Sequence, residues 1–244
     1  MIAALGFLAA LLSISVVWPQ VWRSCRHRRT RGLSPTSAWL ALGLNVCWFT
    51  FGFLIADRAQ MVTNAVVGVG NTAVLVSLLI TQPRLRTGAE LRRTATGALG
   101  LATLAAGSVA AVRLLGIAPA TVGTALGTVI SVVAMAAALP QPLSLLRDRG
   151  QDLSGLSPAR WRLGTGACAS WASYGWLSGE PVVWMSAGFG LCCAVVVCSV
   201  LRAAQRTGTP VGTLADVRPA LVAVAGRWND GFACPAQARA VLAA

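Results

Sequence analysis

The sequence predicts an all-α polytopic membrane protein of seven transmembrane helices, arranged 3+1+3 as two triple-helix bundles of parallel orientation joined by one linking helix. Three observations lead there. The chain is 56% hydrophobic and only 11% charged, and its charges cluster between apolar runs of about 20 residues, the length a helix needs to cross a bilayer. A unit that begins before Trp18 and runs past Leu54 is written a second time around Pro140. Between the two copies lies one further apolar run, and an odd number of crossings leaves both copies facing the same way.

Hydropathy places the spans at residues 2–22, 36–56, 61–81, 95–117, 121–146, 163–178 and 181–201. The first starts at the initiating methionine with no basic leader, and because the chain goes on crossing it reads as a retained helix and not a cleaved signal. It carries Ser13 and Ser15 ahead of Trp18-Pro19-Gln20. Pro19 lacks an N–H and crowds the carbonyl of Ser15, so a bend is expected there, with the Gln20 amide serving freed backbone groups. In the fifth span the same logic applies to Pro140-Gln141, with Pro142 adding a second break. These prolines are either hinges or the ends of their helices.

The second span follows an arginine-rich loop and Gly32-Leu33-Ser34-Pro35, and the sixth follows Gly155-Leu156-Ser157-Pro158. Pro35 and Pro158 stand where a first helical turn tolerates proline. In the second span Asn45, Trp48, Phe49 and Gly52 are spaced i, i+3, i+4, i+7 and share one face. An asparagine in mid-span is costly toward lipid, so this face is expected to point into the bundle. The third span repeats the device with Asn64, Gly68 and Asn71. Each amide either lines a pocket or bonds a neighbouring helix.

Counted from the serine-prolines, Trp171 matches Trp48, Tyr174 matches Phe51, Gly175 matches Gly52 and Glu180 matches Asp57. Cys168 and Ala187 replace Asn45 and Asn64, with Ser186 one position away, so any pocket is expected to be asymmetric. The fourth span, rich in alanine and glycine, reads as a connector. The sixth, with Ser170, Ser173 and Tyr174, is the least apolar and is expected to face neighbours or a cavity. Asp57, Arg58 and Glu180 stand in the short turns at one mouth and by themselves read as solvated turn residues.

The net charge of +13 invites a nucleic-acid reading, which topology removes. With the first loop inside, all arginines except Arg58 and Arg113 fall on the cytoplasmic side, as the positive-inside rule requires. Contact with anionic lipids at that face follows. The expected placement is the cell membrane, N-terminus outside and C-terminus cytoplasmic.

The order Pro-Gln, basic loop, Gly-Leu-Ser-Pro, Asn45-x-x-Trp48 and Phe51-Gly52 resembles the repeat of PQ-loop proteins, the group that includes the SWEET and SemiSWEET sugar carriers. The likeness covers roughly residues 2–81 and again 120–201. It implies units at 1–81 and 118–201, a linker with the fourth helix at 82–117 and a cytoplasmic tail at 202–244. It also implies flexing prolines at Pro19, Pro35, Pro140 and Pro158, a gate of polar and charged contacts at Asp57, Arg58 and Glu180, and a pocket lined by Trp48 and Asn64, with Asn45, Asn71, Trp171 and Tyr174 as further candidates. An indole covers a sugar's C–H surface while an amide both donates to and accepts from hydroxyls.

Other chemistry has little to work with. His27 is the one histidine and sits in the arginine-rich loop, so neither a His-dependent triad nor a His-containing metal site can be built. The seven cysteines lie in spans or on the reducing side and form no metal spacing. No cofactor and no enzymatic activity are expected, and no carboxylate lies mid-membrane to couple a proton. The expectation is facilitated, uncoupled passage of a small polar solute such as a sugar. Export of amino acids or organic cations, as elsewhere in the PQ-loop group, and a receptor or sorting protein that binds without transport are the alternatives.

Overall fold

The computed structural model describes residues 2–28, 30, 33–147 and 158–207. They form α1 (Ile2–His27), α2 (Pro35–Leu54), α3 (Arg58–Thr81), a short 3-10 turn (Pro83–Arg86), α4 (Gly88–Leu115), α5 (Pro119–Ala138), α6 (Pro140–Arg147), α7 (Pro158–Ser178) and α8 (Pro181–Thr207). The chain is a multi-pass membrane protein. Helices α1, α2, α3, α4, α8 and the α5–α6 pair are long and apolar enough to cross a bilayer. The expected sixth span, α7, is not among these six. Arg160, Arg162, Ser170 and Ser173 lower its hydropathy, yet its 21 residues still span about 30 Å. It lies between α1 and α8, so protein shields part of its polar surface.

Helices α1 and α2 flank α3, and α5 and α7 flank α8 in the same order. Between bundles, α1 packs on α7 and α2 on α5, so the first helix of each meets the second helix of the other. Helix α4 lies against α2 and touches α5.

The duplication is exact enough in the backbone to be read as hydrogen bonds. At the end of α2, Ala56 adopts φ 57° and the Asp57 N–H closes on the Gly52 carbonyl at 2.8 Å. At the end of α7, Gly179 adopts φ 74° and Glu180 N–H closes on the Gly175 carbonyl at 2.8 Å. Both are left-handed helix ends with the closing bond that satisfies an orphan carbonyl.

The glycines whose carbonyls accept these closing bonds are matched as well. A Cβ on Gly52 would lie 2.7 Å from the Gln60 Cβ, and one on Gly175 would lie 2.6 Å from the Trp184 nitrogen. The return helix passes too close for any side chain. Gly175→Ala is expected to cost about 1–3 kcal/mol through backbone displacement. Gly107→Ala in α4, with no atom within 4 Å of its Cβ position, is expected to be neutral or slightly stabilising. Thermal unfolding in detergent compares the two, and equal midpoints would contradict the close packing.

The prolines divide. Helix α1 runs unbroken through Pro19, and the Gln20 amide donates to the Ser24 hydroxyl at 2.9 Å, correcting the expectation that it serves the backbone. At the corresponding place in the second bundle the helix is interrupted at Leu139, and Pro140 and Gln141 open α6. Two closely spaced prolines remove two N–H donors, and one evidently can be accommodated where two cannot. Pro35 is the first residue of α2, with the Ser34 hydroxyl accepting from the Ser37 N–H at 3.2 Å, and Pro158 is the first residue of α7. The Gly155-Leu156-Ser157 segment and the tail after residue 207 lie outside the described residues.

Candidate functional site

A cavity of about 380 Å³ opens between the bundles. Its first wall comes from α1, α2 and α3: Ser13, Val16, Asn45, Trp48, Gln60, Thr63, Asn64 and Val67. Its second comes from α7 and α8, chiefly Gly164, Ala167, Cys168, Trp171, Val183, Ser186 and Ala187. Paired positions differ by a constant 123 residues, Trp171 against Trp48, and the pairing continues across the cavity. Asn45, Gln60 and Asn64 therefore face Cys168, Val183 and Ala187, their own counterparts. The amides are confined to one side, with the Ser186 hydroxyl the polar exception on the other, the asymmetry expected from the sequence.

Each tryptophan stands edge-on to the aromatic residue one turn further along. Trp48 and Phe51 have centroids 5.5 Å apart at 89°, and Trp171 and Tyr174 have the same separation at 83°. The Trp171 Nε1 donates to Ser13 Oγ at 3.0 Å, tying α7 to α1, and Ser13 donates in turn to the Ala9 carbonyl at 2.9 Å.

The amides form a line. Asn71 Nδ2 donates to Asn45 Oδ1 at 2.7 Å, Asn45 Nδ2 to Asn64 Oδ1 at 3.1 Å, and Asn64 Nδ2 to both the Gln60 carbonyl at 2.9 Å and Gln60 Oε1 at 3.2 Å. Such side chains satisfy one another in a setting where water is scarce.

Three expected placements need correction. Asn71 lies two helical turns from Asn64, does not line the cavity and bonds Asn45 instead. Tyr174 lies beyond the cavity toward the Asp57 turn. Phe49, expected on the Asn45–Trp48 face, is exposed and turned away from it. At the turn before α3 the Asp57 carboxylate caps the helix, accepting from the Ala59 and Gln60 N–H groups at 2.9 and 3.1 Å. Among the described residues the one salt bridge is Arg93–Glu90, far along the chain from this mouth.

What meets at that mouth is a ring of groups from both bundles. The Tyr174 hydroxyl approaches the Asp57 carboxylate. Burial, then the Asp57 carboxylate, push the Glu180 carboxyl above its ordinary range. Below them, glycines admit the aromatic rings: a Cβ on Gly6 would lie 2.8 Å from the Tyr174 ring, and one on Gly127 would lie 2.8 Å from the Phe51 ring. Gly6 and Gly127 are related by the same offset, 121 residues, as Pro19 and Pro140. This closure went unread in the sequence, as did Ser13, Gln60 and Thr63 in the cavity. The signal for Gln60 and Thr63 was available: with Asn64 and Val67 they share one face of α3.

Residues 1–60 match the family model of the PQ loop repeat. No curated protein matches the chain in sequence. In structure it is similar to a eukaryotic SWEET transporter solved at 3.7 Å, with a TM-score of 0.62 at 14% identity, covering 82% of this chain and 95% of that one.

Proposed function

We propose that this PQ-loop repeat protein, built on the fold of a SWEET transporter, carries a small polar solute such as a sugar across a cell membrane by uncoupled alternating access. The observation that carries the reading is the cavity of about 380 Å³ between the bundles, within the range of small-molecule sites. It holds amides on one side and an indole from each bundle, the combination suited to hydroxyls and C–H surface.

In this reading the units at 1–81 and 118–201 rock about the cavity, the linker at 82–117 keeps them parallel, and the 202–244 tail stays cytoplasmic with the N-terminus outside. The ring contacts Phe51–Gly127 and Tyr174–Gly6 hold the Asp57 mouth shut. Opening there must part them, and the interruption at Leu139, with Pro19, Pro35 and Pro158, supplies places to bend. Arginines at the opposite face meet anionic lipid headgroups. Among the described residues the lining has no charged side chain, which favours a neutral solute over amino acids or organic cations, since a charge would lose its hydration without a partner.

The test is counterflow into liposomes by the purified chain with a panel of mono- and disaccharides. Saturable exchange of at least one sugar, unaffected by an imposed pH gradient, is expected. Background flux across the whole panel from folded protein would refute the sugar assignment, and flux that follows the pH gradient would favour a coupled exporter. Saturable binding without exchange would instead point to a receptor.

A further inference from the structure

The direction of the hydrogen bonds along the amide line leaves Gln60, at its end, with both donors to give. A primary amide offers two N–H donors and one oxygen acceptor. Both donors of Asn64 are engaged, one on the Gln60 carbonyl and one on Gln60 Oε1. Its oxygen already accepts from Asn45. Gln60 is 5% exposed, its oxygen is engaged by Asn64, and its Nε2 meets no acceptor among the described residues. Gln60 lines the cavity. The chain of bonds from Asn71 through Asn45 and Asn64 runs in one sense and ends at this nitrogen, so each bond polarises the next and strengthens the terminal donor. Gln60 Nε2 keeps some exposure to the cavity, so water serves it there until a guest that accepts from it takes the water's place.

We propose that Gln60 hydrogen-bonds the transported solute and that Asn64 positions it. This rests on the carrier reading above and names the chemistry the site selects. The solute is neutral, presents an acceptor oxygen to α3, and turns C–H or apolar surface to the opposite wall. That wall carries Cys168, Val183 and Ala187 where the first bundle has Asn45, Gln60 and Asn64. Its Trp171 N–H is already given to Ser13, which leaves the indole to act through its ring.

The experiment pairs Gln60→Met, which keeps length and removes the donor, with D-glucose and its monodeoxy derivatives. Binding to the purified full chain is read by quenching of tryptophan fluorescence and by ligand-induced thermal shift, and counterflow is measured in parallel. Gln60→Met should weaken glucose binding about 3- to 10-fold, the worth of one uncharged hydrogen bond. For the one deoxy derivative that lacks the engaged oxygen, variant and wild type should bind alike, closing a double-mutant cycle. Equal weakening for every derivative, or none for any, overturns the assignment. Gln60→Leu, which likewise removes the donor at similar volume, gives the same readout should Gln60→Met fail to fold. Binding without counterflow removes the carrier reading while the cycle still judges Gln60. Folded wild type that neither binds nor exchanges any of these sugars overturns both.

Discussion

Phe51→Ala is expected to destabilise the protein by about 3–5 kcal/mol. The ring is fully buried in a cluster drawn from four helices: Cys47 and Leu54 of α2, Leu101 and Ala105 of α4, Leu126 and Ile130 of α5, and Val182 and Val183 of α8. Its edge fills the notch at Gly127, and a Cβ there would also meet Val182 at 2.8 Å. In a bilayer the gain from leaving water is small, because lipid tails are as apolar as the core. What remains is contact between close-packed atoms, and a void left by a phenyl ring loses it outright. The lower end of the range is therefore the sharper expectation. Equilibrium unfolding in detergent measures it, and a loss below about 1 kcal/mol would mean that the bundles do not meet at this ring. Tyr174→Ala should cost less, since that ring is only half-buried.

How the sequence foretold this contact and missed its partner is instructive. Phe51 and Tyr174 were legible as a repeated aromatic, because the spacing from Trp48 and Trp171 is conserved between the copies. Gly6 and Gly127 were not, because a glycine in an apolar span carries no signal until a ring is seen against it. Periodicity supplied the correct face of α3 but not the depth along it. Asn64 and Asn71 share a face, yet about 10 Å of helix rise separates them, and that distance takes Asn71 out of the cavity. Gln60 was overlooked for the converse reason. A polar residue two positions after a helix start reads as a solvated end, whereas here α2 doubles back so tightly at Gly52 that Gln60 is packed beneath the turn. The fifth span was read as broken at Pro140 and again by Pro142, and it breaks once, at Leu139, with α6 running on through Pro142; Pro19, read the same way, sits inside a continuous helix.

Trp48→Ala is expected to lower flux by about 10- to 100-fold, the consequence of losing roughly 1.5–3 kcal/mol of contact with a solute. The side chain divides its surface between two tasks. One edge meets Phe51 at a centroid separation of 5.5 Å, and the remainder lines the cavity. Because it is half-buried, its removal should cost about 1–2 kcal/mol of stability, well short of the Phe51 loss. The two variants thus move in opposite senses relative to each other: Phe51→Ala falls mainly in unfolding midpoint, Trp48→Ala mainly in transport. Trp48→Phe should recover part of the flux, since a smaller ring still offers a face to C–H surface while the indole N–H, which meets no protein acceptor among the described residues, is lost. Flux within threefold of wild type for folded Trp48→Ala would place the solute elsewhere. A fall in midpoint equal to that of Phe51→Ala would make the indole a packing residue. Either result would separate the cavity from the passage, even with the fold intact.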